Sequence, residues 1–157
     1  MDKIKGSYIL VLQLEQPLVG LQVGRLGQFA FAAGFYFYVG SAFGAGGLAA
    51  RLAYHTRQKL RPHWHVDYLR AVTRLREIWT VSGPERLECC WCQRLLTHPA
   101  LTVPVPGFGS RDTGCRAHLF YLPRAPYPAL LTKIMLGEGV ADQPAKLQVE
   151  IHRFDDA

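Results

Sequence analysis

From Leu26 to Ala50 the chain carries no charged side chain, and an apolar stretch of that length must be buried either in lipid or in protein. Gln28, Ser41 and glycines at 27, 34, 40, 44, 46 and 47 interrupt it, a density that a lipid-facing helix does not carry. Within it, "GFYFYVG" sets Tyr36 and Tyr38 on one side of an extended chain and Phe35, Phe37 and Val39 on the other. The stretch therefore reads as a buried strand followed by a glycine turn, and no membrane span is expected.

Periodicity places the neighbouring elements. Tyr8 to Leu12 is apolar on both faces, as a central strand must be, and Pro17 stops it. Apolar pieces at Leu18 to Val23 and Phe29 to Phe31, separated by Gly24 and Gly27, suit a hairpin. After the turn at Gly46 and Gly47, "LAARLAYHTRQKL" is rich in good helix formers. It puts Arg51 and His55 on one face, with Leu48 and Leu52 on a neighbouring stripe. "LREIWTV" reads as a strand with Glu77 toward solvent. In "SGPERLECCWCQRLLTH", Ser82 and Glu85 are spaced as a capping box, and Leu87, Trp91 and Leu95 form a core stripe. A glycine and proline loop, a short strand and a proline-punctuated tail complete the chain. Strands followed by helix, strand and helix predict an α+β layer fold, and 157 residues suffice for one well-filled core.

Net charge is +6 with a pI near 9.4, and Arg51, Arg57, Lys59, Arg61, Arg70, Arg74 and Arg76 crowd one segment. A polyanion is the natural partner of such a segment, although a solvated basic face fits the charge equally well. The opening "MDKIKGSYIL" lacks the layout of a signal peptide, so a cytoplasmic location is expected.

With these elements in order, "GSY" at Gly6 to Tyr8, "YVG" at Tyr38 to Gly40, Arg51 and His55 on a helix and Glu88 on a later helix resemble the GIY-YIG nuclease superfamily. "GFYFYVGSA", "HWHVDYL" and "FGSRDTGCRAHLF" resemble its branch called domain of unknown function 123. The resemblance covers roughly residues 6 to 121. It implies a small central antiparallel sheet, with three core strands plus the inserted hairpin, flanked by helices. It also implies a nuclease-like domain over residues 1–122, with 123–157 as a C-terminal extension packed on it.

The implied activity is hydrolysis of phosphodiester bonds in DNA by an endonuclease using one Mg²⁺ or Mn²⁺ ion, with damaged or branched sites, as for a structure-specific repair enzyme, among the candidate substrates. Tyr8 would be the general base, with Tyr38 beside it on the adjacent strand. A phenol needs a nearby cation or metal to bring it down from a pKa of about 10. Arg51 would stabilise charge building on the phosphate, His55 would shuttle a proton or contact the phosphate, and Glu88 would hold the metal, a hard ion content with one carboxylate. Arg25 on the inserted segment, with Arg57, Lys59 and Arg61, would touch the nucleic-acid backbone. DNA ranks ahead of RNA, and no dinucleotide cofactor is expected.

Two further sets carry chemistry. His63, His65 and Asp67 alternate, which in an extended chain aims all three to one side, toward a metal or a phosphate; the alternative is that Asp67 caps a short helix. Cys89 and Cys92, then Cys115 and His118, repeat one spacing and match the soft ligands of a structural Zn²⁺. Against zinc, Cys90 is an extra thiol and helices often bury cysteine as a small apolar residue. Asp112 and His118 would otherwise shape the rim of the active site. Beside the nuclease stand two other readings: a nucleic-acid-binding module of the same fold without cutting, and a zinc-stabilised adaptor for another protein.

Overall fold

The computed structural model describes residues 4–57, 61–109, 115–136 and 149–154. Its elements in chain order are β1 (Gly6–Leu14), β2 (Leu18–Val23), β3 (Gly27–Phe31), β4 (Gly34–Ala42), α1 (Gly47–Thr56), α2 (His65–Arg70), β5 (Arg74–Ser82), α3 (Glu88–Thr97), β6 (Leu119–Leu122), α4 (Pro128–Met135) and β7 (Val149–Arg153). A five-stranded sheet runs β6-β4-β1-β5-β7, and β2 pairs with β3 in a separate hairpin. Every pairing is antiparallel. The fold is α+β, with β4, β1 and β5 as the central three strands.

β1 lies in the middle because its side chains alternate into two apolar layers. Tyr8, Leu10 and Leu12 enter one, and Ile9 and Val11 enter the other. β4 behaves in the same way, sending Tyr36 and Tyr38 to the first layer and Phe37 and Val39 to the second. The first layer is covered by α1, α2 and the hairpin, through Leu48, Leu52, Val66, Leu69, Val23 and Phe31. The second is covered by α3 and α4, through Trp91, Leu95, Leu130 and Ile134. Among the described residues, no helix is long and apolar enough to cross a membrane.

Two sequence expectations change. The helix after β5 begins at Glu88, because Ser82 is still paired with Gly6 in the sheet and Gly83 turns the chain at φ 134°. The capping box at Ser82 and Glu85 is therefore not formed. "HWHVD" is not extended, since α2 begins at His65. The tail contributes α4, which packs on α3 through the second layer, and β7, which pairs with β5 along Glu77 to Val81.

Candidate active site

Tyr8 lies directly opposite Gly40 in the β1–β4 register. A β carbon at Gly40 would sit 2.4 Å from a carbon of the Tyr8 ring, so the missing side chain is what lets the phenol lie flat across its neighbour strand. The hydroxyl then meets Nε2 of His55 at 2.8 Å in a buried hydrogen bond. His55 comes from the last turn of α1 and is fully buried, although the apolar stripe of that helix, Leu48 and Leu52, is only partly so. Aromatic rings surround it: Tyr8, Tyr38, Tyr54 and Trp64 have centroids 5.3, 6.3, 5.4 and 5.9 Å from its own.

Arg51, one turn earlier on the same face, stacks its guanidinium on Trp64 at 4.4 Å from the ring centroid. The indole face attracts the cation and holds it close enough to Tyr8 to act on the phenol. Burial pushes the Tyr8 phenol well above its ordinary pKa, the charges of Tyr38 and Glu88 add to this, and Arg51 opposes without overcoming them. Tyr38 is raised in the same direction, by burial first and then by Glu88. The expectation that a neighbouring cation brings the phenol down is thus not met by Arg51 alone. Both tyrosines rest as neutral phenols.

Glu88 opens α3, and its position is set from an unexpected direction. The backbone N–H of Leu87 donates to Oγ of Ser7 at 3.3 Å, across 80 residues. Ser7 is fully buried, and its hydroxyl satisfies one of the donors that a helix start leaves over. Oε2 of Glu88 pairs with Nδ1 of His118 at 3.1 Å, and the same nitrogen lies 3.1 Å from the carbonyl oxygen of Val39. Both partners accept, so Nδ1 carries the hydrogen. Burial would lower the pKa of His118, but the hydrogen bonds to Glu88 and Val39 and the Glu88 charge outweigh it, and the net shift is upward. Glu88 keeps about a quarter of its side chain exposed, and His118 engages only one of its oxygens. A single carboxylate of this kind suits a hard divalent cation that retains most of its waters.

The remaining candidates divide. Oδ2 of Asp67 accepts the N–H groups of His63 and Trp64 at 2.8 and 2.9 Å and the hydroxyl of Tyr54 at 2.5 Å, so this carboxylate caps α2. His65 accepts the N–H of Gly109 at 2.9 Å and packs on Phe108, while His63 is exposed beside Trp64. The three do not converge. Arg25, Arg57 and Arg61 are exposed; Lys59 and Asp112 lie outside the described residues. Part of the basic segment has structural work: Arg70 donates to the carbonyls of His55 and Thr73, and Arg74 pairs with Glu15 at 3.5 Å.

The cysteines do converge. One ligand atom each from Cys92, Cys115 and His118 lies within 4.8 Å of the others, and Sγ of Cys115 is 3.1 Å from Sγ of Cys89. Its hydrogen bond to Cys115 and then burial push the Cys89 thiol up to about 11, and burial raises Cys92 further. These are not standing nucleophiles. Cys90 is half-buried against the second apolar layer and does not join the converging ligand atoms.

Sequence reasoning missed Ser7, Gly40, Tyr54 and Trp64. Gly40 was within reach, since a glycine closing "YVG" amid bulky strand residues signals close approach. The others depend on partners distant in the chain.

Fold and site together define a small α+β protein whose central strands and first helix join two tyrosines, a histidine and an arginine near a carboxylate. The chain belongs to the family described as Domain of unknown function DUF123, whose pattern matches residues 7–137. It has no match among the curated proteins or the solved structures compared with it.

Proposed function

We propose that this protein is a divalent-metal-dependent endonuclease of the GIY-YIG kind, hydrolysing phosphodiester bonds in DNA. The observation that carries the reading is the buried 2.8 Å hydrogen bond between Tyr8 and His55 Nε2. A phenol raised this far is a poor base by loss of its proton to solvent. It becomes an effective one if its proton moves to His55 as the attacking water gives up its own. In that relay the water proton passes to the Tyr8 oxygen, and the phenolic proton passes to Nε2 of a His55 that carries its resident hydrogen on Nδ1. Tyr38 lines the same wall. Arg51, held on Trp64, places its guanidinium edge against the charge that grows on the phosphate oxygens. Glu88 would hold Mg²⁺ or Mn²⁺ through the oxygen His118 does not engage, and the ion would supply charge neutralisation at the phosphate.

The test is cleavage of labelled duplex, nicked, branched and single-stranded DNA with Mg²⁺ or Mn²⁺. Wild type is compared with Tyr8→Phe, His55→Ala, Arg51→Ala and Glu88→Gln, each checked by circular dichroism. Loss of the Tyr8 hydroxyl should lower the rate about 10²–10⁴-fold, and loss of Arg51 about 10²–10³-fold. If wild type binds DNA with a steep salt dependence but cuts none of the substrates, the chain is a binding module and the relay is wrong.

A further inference from the structure

We propose that Cys89, Cys92, Cys115 and His118 bind one structural Zn²⁺, and that His118 carries that site through to Glu88. The two cysteines of α3 sit three residues apart on one helical face, and Cys115 and His118 lie in the segment that leads into β6. These two pieces of chain are far apart in sequence, yet Cys115 Sγ reaches Cys89 Sγ at 3.1 Å and the ligand atoms of Cys92, Cys115 and His118 fall within 4.8 Å of one another. A tetrahedral zinc with Zn–S bonds of about 2.3 Å holds its sulfurs about 3.8 Å apart. The Cys89–Cys115 pair is closer than that and well beyond the S–S bond of a disulfide, about 2.05 Å. Cys89 stands outside the set of three that already lie together; it is exposed, and turning its side chain inward from its contact with Cys115 would supply the fourth soft donor.

The histidine identifies the site as more than a cluster of thiols. Its Nδ1–H is held by Glu88 Oε2 and the Val39 carbonyl, each at 3.1 Å, which assigns Nε2 to the metal. A ligating histidine whose other nitrogen donates to a carboxylate and a backbone carbonyl is the arrangement that fixes tautomer and ring direction in protein metal sites. Three thiolates and a neutral imidazole give the zinc site a net charge of −1, and Arg116, which lines one surface pocket with Cys89, Cys92 and Cys115, brings the opposite charge. Binding releases the thiol protons to solvent. The consequence is mechanical. Zinc would clip the first turns of α3 to the approach to β6, and through His118 it would hold the carboxylate of Glu88 in place beside Tyr8 and Tyr38.

The site is tested without any nucleic acid, so its outcome is independent of the nuclease proposal. Full-length protein, purified under reducing conditions, is assayed for metal by mass spectrometry and then titrated with Co²⁺ after zinc removal. About one zinc per chain and an intense thiolate-to-cobalt absorption band are expected. Cys115→Ser and Cys92→Ser should lose both, Cys90→Ser should keep both, and Glu88→Gln should weaken metal affinity roughly 10–100-fold as a supporting partner of His118. Because the cysteine variants could fail to fold, their circular dichroism is compared with wild type, and the cobalt spectrum of wild type stands as a separate readout. Folded, reduced wild type that takes up neither zinc nor cobalt would overturn the proposal. So would metal retained by Cys92→Ser and Cys115→Ser, or a Cys89–Cys115 disulfide in place of metal.

Discussion

The β carbon that Gly40 lacks would meet Cζ of Tyr8 at 2.4 Å and its hydroxyl oxygen at 2.5 Å. Real β carbons do not approach other atoms so closely, and Tyr8 cannot swing aside because β1 is packed on both faces. Gly40→Ala should therefore cost about 1–3 kcal/mol by overpacking and should break the Tyr8–His55 hydrogen bond. Gly44→Ala, where a β carbon would meet nothing within 4 Å, should stay within about 0.5 kcal/mol of wild type. Urea midpoints of the two variants check the pair, and equal midpoints would remove the close-approach argument. At this scale the residue types of the site were legible: tyrosines, arginine and glutamate in order along the chain carry the resemblance. The part played by Ser7 was not. Its partner, Leu87 N–H, is 80 residues away, and no local pattern links a strand hydroxyl to a helix that starts so much later.

The short helix α2 shows how one carboxylate can organise an element that has little stability of its own. Asp67 stands at its third position and gathers two backbone donors and the Tyr54 hydroxyl onto one oxygen. It thereby ties the start of α2 to α1 and sets Trp64 where Arg51 can lie on it. Asp67→Ala leaves these donors without their acceptor and should lower stability by about 2–4 kcal/mol, above the usual range for a single cap; Asp67→Asn should recover part of this. Denaturant unfolding of the two variants decides it, and a loss below about 1 kcal/mol for Asp67→Ala would reduce the residue to an ordinary cap. The alternation of His63, His65 and Asp67 suggested an extended chain because period two was all that so short a stretch could display. A helix of six residues is too brief to show period 3.6, so the capping alternative could not be separated from the convergent one until the turn itself was seen.

Across the whole molecule, the central strands were readable and the edges of the sheet only in part. β1 and β4 announce themselves by apolar residues on both faces and β5 by "LREIWTV", whereas β7 is half-exposed along its length and belongs to the sheet only because it pairs with Trp79 and its neighbours, some seventy residues earlier. That strand also lies beyond the residues the family pattern matches. The first layer, where Tyr8, Tyr36 and Tyr38 are buried, has a consequence for alkaline stability. Tyr8, Tyr36, Tyr38 and Tyr54 all have their phenols raised, burial being the first cause in each. Tyr36 is the clearest: it donates to the Ala32 carbonyl at 2.5 Å and packs against Tyr121, whose charge adds to the effect of burial. Below pH about 10 folded and unfolded chains both keep these protons, so the contribution is fully present. As pH rises past that value the unfolded chain releases protons that the folded chain still binds, and stability must fall toward the folded pKa values. Urea midpoints should therefore begin to decline near pH 9, where the unfolded chain gives up thiol protons that Cys89 and Cys92 keep in the fold, and drop steeply above 10, with the drop above 10 shallower in Tyr36→Phe. Phenolate absorbance should develop in the folded protein for the exposed tyrosines first and for the buried ones only on unfolding. If all seven tyrosines ionised together near pH 10 in the folded state, the phenol layer would be open to water, and the relay from Tyr8 to His55 would lose the burial on which it depends.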